Sequence, residues 1–405
     1  MERVVITGIG AVTPIGLTFR DSWDHLKKGL TGIGKLSRFD SSDLKWTLAG
    51  ELKGFEPAAF LPSRDARVLD PFVTYAAAAA SMAASDAGLT DSGNTVDMND
   101  ASVIIGSSRA GITTLESAMQ TLAERKKRLS PFVMPASTLY LAPSTIAGML
   151  CIHGECLGIS TACASGLHAL GEAFRQIRAG ITTLALAGGT EAPLCRICFE
   201  GYGASGALSS GTYPDASRPF AMKRDGFIIS EGACVLVLEN YTDAVRRHAS
   251  IYAEILGYAN VSDALHMTRP HMQSQVAAIQ KALLDARLDP EEIDFISAHG
   301  TSTPIGDAVE AAAIGAAFGT RKIPVTAPKS MTGHMLAASA AFEAACTAMT
   351  LADGYIPPTI NCTEPDPACE LSLVTRLEKT DANYALTQSF GFGGANAVLI
   401  LKKCR

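Results

Sequence analysis

Short apolar runs alternate along this chain with longer alanine-rich stretches, and this alternation restricts the possible folds more than any other feature. Strands buried on both faces are predicted at residues 103–105, 184–187, 234–238, 293–297 and 397–401. Helices are predicted at residues 73–87, 167–179, 276–286 and 308–318. Strands and helices that alternate in this way favour a layered α/β fold.

The composition is typical of a globular enzyme and argues against several other classes of protein. Of 405 residues, 47% are hydrophobic and 18% are charged, and the formal net charge is -6. A net acidic chain does not favour nucleic-acid binding, and no apolar run is long enough to span a membrane. The first residues read as a strand and not as a signal peptide. We therefore expect a cytoplasmic protein whose ten cysteines are reduced thiols.

The domain organisation is predicted to be one continuous unit made of two intimate halves. No low-complexity linker interrupts the chain, and a soft boundary near residue 250 follows Arg246-Arg247-His248. We therefore expect an N-terminal half over residues 1–250 and a C-terminal half over residues 251–405.

Cys163 is a candidate nucleophile because of its position between a predicted strand and a predicted helix. The apolar segment ends at Ile159, small residues surround the cysteine, and an amphipathic helix follows from Leu167. Free backbone N–H groups and the dipole at the start of a helix favour the thiolate over the thiol. A thiolate can carry an acyl group as a thioester. From the local sequence alone, a buried structural cysteine is the alternative.

Two histidines lie in polar loops that follow apolar runs. His299 begins His299-Gly300-Thr301-Ser302-Thr303, after which Asp307 and Glu310 read as acidic residues at the start of a helix. His334 ends Lys329-Ser330-Met331-Thr332-Gly333-His334 and precedes an alanine-rich helix that carries Glu343. Catalytic side chains collect at strand ends in α/β folds. The spacing does not match a metal site, so no metal is predicted.

A glycine-rich segment near the C-terminus is the last candidate element of a site. Gly391-Phe392-Gly393-Gly394 forms a flexible turn whose N–H groups could face an oxyanion. A plain hairpin turn is the alternative reading of the same residues.

Taken together and in this order, these clusters resemble the β-ketoacyl-acyl-carrier-protein synthases, most closely the bacterial type II elongating enzyme. The likeness covers essentially the whole chain. Its motifs are Val4-Val5-Ile6-Thr7-Gly8, Thr161-Ala162-Cys163, Arg224-Asp225-Gly226-Phe227, His299-Gly300-Thr301, Lys329-Ser330-Met331-Thr332-Gly333-His334 and Gly391-Phe392-Gly393-Gly394. The resemblance implies an α/β thiolase fold, with five αβαβα layers built from two similar βαβαβαββ halves. It also implies a homodimer, although a heterodimer stays open.

The resemblance implies a decarboxylative condensation in fatty acid synthesis or a related lipid or polyketide pathway, without a metal or a redox cofactor. Cys163 would take an acyl group from acyl carrier protein. His299 and His334 would stabilise the enolate formed from malonyl-carrier protein. Lys329 would pair with Glu343 and polarise the surroundings of His334. The backbone N–H groups of Cys163 and Phe392 would donate to the oxyanion.

The family also implies binding residues for the substrate and for the acidic carrier protein. The substrate-binding positions are Arg109, Tyr202, Thr301, Thr303, Phe132 and Met134, with the two threonines along the pantetheine arm. The docking positions are Arg64, Arg67, Lys126, Lys127 and Arg128, because an acidic partner needs a locally basic patch. For any one of these basic residues, a solvated charge is the alternative.

Arg109 departs from the family pattern, in which a small or aliphatic residue lines the acyl pocket at this position. A buried unpaired arginine beside a long alkyl chain would be costly. We therefore expect a short, polar or unusual acyl group. The alternative is that Arg109 turns to the surface, or to a carboxylate such as Glu116, and does not meet the substrate.

Two other protein classes remain as alternatives to an active synthase. A catalytically silent chain-length partner shares the fold, but such proteins typically lack the cysteine that is present here as Cys163. A thiolase-type acyl-CoA enzyme carries a second catalytic cysteine near its C-terminus, where this chain has Phe392 in the glycine loop.

Overall fold

The computed structural model describes residues 1–91, 96–124 and 128–404. The strands are β1 (Val4–Val12), β2 (Ile33–Lys35), β3 (Leu48–Gly50), β4 (Ser102–Gly106), β5 (Cys156–Ile159), β6 (Leu184–Glu191), β7 (Gly232–Asn240), β8 (Ala253–Ser262), β9 (Phe295–Ser297), β10 (Pro324–Thr326), β11 (Tyr355–Ile356), β12 (Ser372–Leu373), β13 (Glu378–Lys379), β14 (Tyr384–Gly391) and β15 (Ala395–Lys402). The helices are α1 (Phe19–Lys27), α2 (Pro71–Asp86), α3 (Ile112–Glu124), α4 (Val133–Ser137), α5 (Leu141–Leu150), α6 (Ser165–Arg178), α7 (Arg196–Ala204), α8 (Tyr241–Arg246), α9 (Met272–Ala286), α10 (Pro304–Phe318), α11 (Lys329–Thr332) and α12 (Ala337–Asp353).

The central sheet contains the same strand topology twice. In the first half the spatial order is β5-β4-β6-β7-β1, with β7 antiparallel to both of its neighbours. In the second half the order is β10-β9-β14-β15-β8, with β15 antiparallel to both of its neighbours, and the short β12 adds a parallel edge strand outside β10. If the five strands of each half are counted along the chain, leaving out β2 and β3, which form a separate sheet, both halves have the spatial order third, second, fourth, fifth, first. Antiparallel pairing between β1 and β8, from Val4 with Ile255 to Ile6 with Ala253, joins the two halves.

The helices complete five layers. α6 and α12 pack against each other and against strands of both halves, so they form the middle layer. α2 covers the outer face of the first half, and α9 with α10 covers the outer face of the second. Almost every residue of α12 is buried, which explains why this helix is alanine-rich without a polar face. This αβαβα arrangement is the thiolase fold that the sequence resemblance implies.

The elements predicted from apolar periodicity are present as β4, β6, β7, β9 and β15 and as α2, α6, α9 and α10. Their ends differ from the predictions by a few residues. For example, α10 starts at Pro304 because proline is favoured in the first turn of a helix. The boundary near residue 250 falls between α8 and β8 and stays a prediction. Within the described ranges, no helix is long and apolar enough to cross a bilayer.

The close approach of the two central helices depends on Gly166, in the first turn of α6. A Cβ atom at this position would lie 2.3 Å from the carbonyl oxygen of Ala337 and 3.3 Å from the Cβ of Ala341, both on α12. Backbone atoms cannot move aside cheaply, because the middle layer is enclosed by both halves of the sheet.

We expect Gly166→Ala to lower the stability of the fold, by about 1–3 kcal/mol, because α6 and α12 must separate. The matched control is Gly315→Ala on α10, where a Cβ would meet no atom within 4 Å. This control is expected to stabilise the chain by up to about 1 kcal/mol through helix propensity. Urea denaturation followed by circular dichroism compares the midpoints, and equal midpoints for the two variants would contradict the packing described here.

Candidate active site

Cys163 lies in the turn between β5 and α6, and local hydrogen bonds hold this turn in an uncommon conformation. Ala162 has φ +52°, in the left-handed region that non-glycine residues rarely adopt. The Ser165 hydroxyl donates to the Ala162 carbonyl at 2.5 Å and accepts the N–H of Thr161 at 2.8 Å. These contacts fix the backbone on both sides of the thiol.

A cavity of about 350 Å³ opens over the thiol and is lined by residues of both halves. Of the predicted site residues, it gathers Cys163, Tyr202, His299, Thr301, Thr303, His334 and Phe392. The hydroxyls of Thr301 and Thr303 lie 3.0 Å apart. The cavity therefore connects the thiol, the two imidazoles and the paired threonines in a single space.

His334 makes the closest side-chain contact with the thiol. Its Nε2 lies 3.1 Å from the Cys163 Sγ, and its Nδ1 lies 3.5 Å from the Ser339 hydroxyl. The Ser339 oxygen already accepts the N–H of Met335 at 2.8 Å, which leaves the hydroxyl proton available for Nδ1. A hydroxyl that donates to Nδ1 favours the tautomer with its proton on Nε2, facing the sulfur.

His299 is held by a buried ion pair. The Lys329 ammonium donates to the His299 carbonyl and to Glu343 Oε1, each at 2.6 Å, and lies 3.3 Å from His299 Nδ1. The side chains of Lys329 and Glu343 are each only 1% exposed. The sequence resemblance placed the ammonium near His334, whereas in the structure its direct contacts are with His299. The two imidazole rings face each other edge to face, with centroids 5.5 Å apart.

Glu310 also fixes His299, and the sequence analysis missed this contact. Its carboxylate accepts the backbone N–H of His299 at 2.6 Å, that of Gly300 at 2.8 Å and the side-chain amide of Gln388 at 2.6 Å. Glu310 is buried, so its reading as a simple acidic residue at a helix start was incomplete. No local signal marks Gln388, because its partner lies 78 residues away in the chain.

Burial determines the protonation states in the cavity. Desolvation, reinforced by the positive charge of Lys329, holds the pKa of His299 and that of His334 well below the usual range, so both imidazoles are neutral. Desolvation raises the pKa of the Cys163 thiol to about 12, although Lys329 and Arg109 lower it. This desolvation opposes the stabilisation of a thiolate that the helix start was expected to provide.

The glycine loop packs directly on the nucleophile turn. A Cβ at Gly391 would lie 2.7 Å from the Thr161 carbonyl oxygen and 3.2 Å from the Cys163 nitrogen, so only glycine permits this approach. The Ser389 hydroxyl donates to the Cys163 carbonyl at 3.2 Å. Phe392, which follows Gly391, lines the same cavity as Cys163, and its role as an oxyanion donor stays a prediction.

Arg109 lies beside the cavity and not deep within it. Its side chain is exposed, its guanidinium lies 5.8 Å from the centre of the Tyr202 ring, and its Nε donates to the Ser108 hydroxyl at 3.3 Å. Its backbone N–H donates to the buried carboxylate of Glu191 at 2.8 Å. Glu116 instead accepts the backbone N–H groups of Arg196 and Ile197, so the suggested pairing of Arg109 with Glu116 is wrong.

The remaining predicted binding residues lie on the surface of the single chain. Phe132 is 46% exposed and Met134 is 70% exposed, and neither lines the cavity over Cys163. Their assignment to the substrate stays a prediction. The predicted docking residues Arg64, Arg67 and Arg128 are exposed, whereas Lys126 and Lys127 lie outside the described residues.

A cysteine thiol beside two neutral imidazoles, inside a duplicated five-layer fold, defines an acyltransferase of the thiolase superfamily. Residues 1–244 match the family model of the β-ketoacyl synthase N-terminal domain, and residues 252–363 match that of the β-ketoacyl synthase C-terminal domain. The chain belongs to the β-ketoacyl synthase family.

Individual relatives match this chain over nearly its full length. The chain is 40% identical to 3-oxoacyl-[acyl-carrier-protein] synthase 2 of Staphylococcus aureus (strain N315), over 99% of this chain and 98% of the relative. Among solved structures, the ishigamide ketosynthase/chain length factor matches with a TM-score of 0.94 at 35% identity, and both chains are fully covered. A type II polyketide ketosynthase in complex with its acyl-carrier protein, AntDE:AntF, matches with a TM-score of 0.91 at 32% identity, again with both chains fully covered.

The raised pKa of the thiol predicts how Cys163 reacts with iodoacetamide. Because the thiolate is the reactive form, its alkylation rate should still rise with pH above pH 9. Peptide mass spectrometry follows Cys163, and the exposed Cys151 of the same molecule serves as the internal reference. A rate that levels off near pH 7 would show that the free enzyme already holds a thiolate.

Proposed function

We propose that this chain condenses an acyl group carried on Cys163 with a malonyl group carried on acyl carrier protein. The product is a 3-oxoacyl-carrier protein for fatty acid synthesis or a related lipid or polyketide pathway. The observation that supports this proposal is the Cys163 thiol within 3.1 Å of one of two neutral imidazoles in a shared cavity. The 3-oxoacyl-carrier-protein synthases among its relatives support the same substrate class.

The first step transfers the acyl group. The Cys163 sulfur attacks the thioester carbonyl of the acyl-carrier protein, and the thiol proton leaves with the thiolate of the carrier arm. The His334 N–H stabilises negative charge on the sulfur during this exchange, which compensates for the unfavourable desolvation of a thiolate. The backbone N–H groups of Cys163 and Phe392 hold the tetrahedral oxyanion.

The second step decarboxylates the malonyl group and forms the new bond. The malonyl thioester carbonyl lies between His299 and His334, whose N–H groups stabilise the enolate as CO₂ leaves. The enolate carbon attacks the acyl thioester, and Cys163 departs as a thiolate that regains a proton. Desolvation keeps both imidazoles neutral; Lys329 reinforces this through its charge and orients His299 through Nδ1.

The carrier protein and a second chain complete the functional assembly. Arg64, Arg67 and Arg128 provide exposed positive charge for an acidic carrier.

A homodimer is supported by exposed apolar side chains on and beside α3, α4 and α5, next to β5 at the open edge of the sheet. These side chains are Leu115, Met119, Leu122, Phe132, Met134 and Tyr140. A heterodimer with a chain-length partner is the second arrangement, since one structural relative is a ketosynthase/chain length factor. We place the enzyme in the cytoplasm.

The direct test is an assay with radiolabelled malonyl-carrier protein, with and without an acyl-carrier-protein primer. The wild type should form 3-oxoacyl-carrier protein only when the primer is present. Cys163→Ala should form none and keep its fold, because it replaces one small side chain with another in a preformed turn. Condensation by this variant at near the wild-type rate would refute the proposal, and decarboxylation alone by the wild type would indicate a silent partner.

Alanine substitutions of the two histidines should affect acyl transfer and malonyl decarboxylation differently. His299→Ala is expected to suppress malonyl decarboxylation by on the order of a hundredfold, while acyl transfer to Cys163 is affected much less. His334→Ala should slow both steps, because its Nε2 also contacts the Cys163 sulfur. Release of labelled CO₂ and intact-protein mass measure the two reactions separately. Normal decarboxylation by His299→Ala would contradict its assignment to the enolate.

Arg109 should limit the acyl group that Cys163 accepts. Its guanidinium borders Tyr202, which lines the cavity, and it has no carboxylate partner among the described residues, so an alkyl chain that leaves the cavity past Tyr202 would meet an unpaired charge. We expect preferential acylation by short or polar acyl-carrier proteins, and a shift of Arg109→Ile toward longer chains. A series of acyl-carrier proteins of different lengths, followed by intact mass, measures this. Identical chain-length profiles for wild type and Arg109→Ile would show that Arg109 does not meet the substrate.

A further inference from the structure

A histidine that takes no part in the chemistry described above holds the side chain of Thr161, two residues before the nucleophile. The Thr161 Oγ1 lies 2.5 Å from the Nδ1 of His168, which belongs to α6. His168 is only 8% exposed. Neither residue is among the described residues that line the cavity over Cys163, so contact with a substrate does not explain the pair.

The backbone of Thr161 is part of the turn that carries Cys163. Its carbonyl accepts the N–H of Ala164 at 3.3 Å, and the same oxygen is the atom that a Cβ at Gly391 would approach to 2.7 Å. Ala162, between Thr161 and Cys163, has a left-handed backbone, and such a conformation persists only where its surroundings fix it. A shift of Thr161 would therefore move the thiol.

The imidazole of His168 is held in turn by an aromatic residue of the second half. Tyr258, on β8, meets the imidazole edge to face, with the ring centroids 6.4 Å apart. The Tyr258 ring fills a notch at Gly171 of α6, where a Cβ would lie 2.1 Å from a ring carbon. The guanidinium of Arg175 lies 4.8 Å from the centre of the same ring. Tyr258 is therefore closely packed and restricts rotation of the imidazole.

The second nitrogen of this imidazole has no structural use among the described residues. The His168 Nε2 is buried and has no hydrogen-bond partner in that part of the chain. A buried polar atom without a partner costs free energy, which an apolar ring of similar size would avoid. Burial, reinforced by the charge of Arg175, lowers the pKa of His168 to about 4, so the ring is neutral near pH 7. The contact of Nδ1 with Thr161 is therefore what explains an imidazole at this place.

We propose that His168 is a positioning residue for the nucleophile, which holds the Thr161 side chain and thereby keeps the Cys163 thiol where it can attack the acyl thioester. The proposal rests on the proposed function, because it names a residue that acts on the same thiol without touching the substrate. A displacement of a reacting group by about 1 Å can slow a reaction by about a hundredfold, so partial loss of this anchor should cost about tenfold.

His168→Phe keeps an aromatic ring against Tyr258 and removes the contact with Thr161. Because this variant also removes the unpaired Nε2, its melting temperature in calorimetry should be no lower than that of the wild type. Acylation of Cys163 by an acyl-carrier protein, followed by intact-protein mass, should nevertheless be about tenfold slower. Activity and stability should therefore change in different directions, which a purely structural role would not produce.

His168→Asn is the matched control. Phenylalanine and asparagine have similar helix propensities, and the side-chain amide can either donate to the Thr161 hydroxyl or accept from it. This variant should acylate within about twofold of the wild-type rate, because the amide replaces Nδ1. Its melting temperature should be lower, because the smaller side chain leaves a space beside Tyr258. A loss of acylation as large as that of His168→Phe would overturn the proposal.

Thr161→Val removes the same contact from its other end. It should slow acylation by about tenfold, and its combination with His168→Phe should be no slower than either single variant, because both remove one shared interaction. Malonyl decarboxylation, measured as labelled CO₂ without a primer, should stay near the wild-type rate in these variants, because the imidazoles for the enolate belong to the second half. Losses that multiply in the double variant, or a parallel loss of decarboxylation, would contradict a role confined to the thiol.

Iodoacetamide measures the position of the thiol without a carrier protein. In His168→Phe the alkylation rate of Cys163 relative to Cys151 should fall by about threefold, because a displaced thiol loses the His334 N–H that supports its thiolate. The ratio should recover in His168→Asn. A wild type that no acyl-carrier protein acylates, but whose ratio still responds in this way, would refute the proposed function and leave the positioning role intact. An unchanged ratio in His168→Phe would overturn the positioning role.

Discussion

The burial of one ammonium group determines the chemistry of this protein. Lys329 is almost completely removed from water and is tolerated there because Glu343 and the His299 carbonyl each accept one of its protons at 2.6 Å. An unpaired charge at such depth would cost several kcal/mol. Desolvation keeps both neighbouring imidazoles neutral by lowering the pKa of each, and the positive charge of Lys329 reinforces this effect. Neutral imidazoles can donate hydrogen bonds to a developing enolate without a competing proton transfer, so the ion pair prepares the site for carbanion chemistry.

The duplicated fold explains why these groups meet. The thiol comes from the start of α6 in the first half, and both histidines come from the second half, near the ends of β9 and of α11. α6 and α12 form the middle layer and approach each other through Gly166. Glu343 lies on α12 and Cys163 lies just before α6, so the packing of the two central helices sets the distance between the buried ion pair and the nucleophile. A change that disturbs the packing of the middle layer is therefore expected to change the geometry of the site as well.

Much of the fold and the three central residues of the site could be predicted from the sequence, because local sequence patterns mark them. Apolar periodicity located nine of the main elements, and the loops after apolar runs located Cys163, His299 and His334. The contact of Gln388 with Glu310 could not be predicted, because it joins β14 to a helix that lies 78 residues away in the chain. The pKa of the Cys163 thiol could not be predicted either, because the helix start is visible in the sequence but the desolvation that raises this pKa is not. The surface position of Arg109 likewise depends on the buried Glu191 that anchors its loop.

The most direct measurement of the central claim is the mass of the intact protein through one cycle of reaction. After incubation with an acyl-carrier protein, the account predicts one added acyl group per chain, located on the peptide that contains Cys163. Addition of malonyl-carrier protein should then remove that group from the enzyme and return it, two carbons longer, on the carrier. An acyl group found on another residue, or one that stays on Cys163 after malonyl-carrier protein is added, would contradict the account.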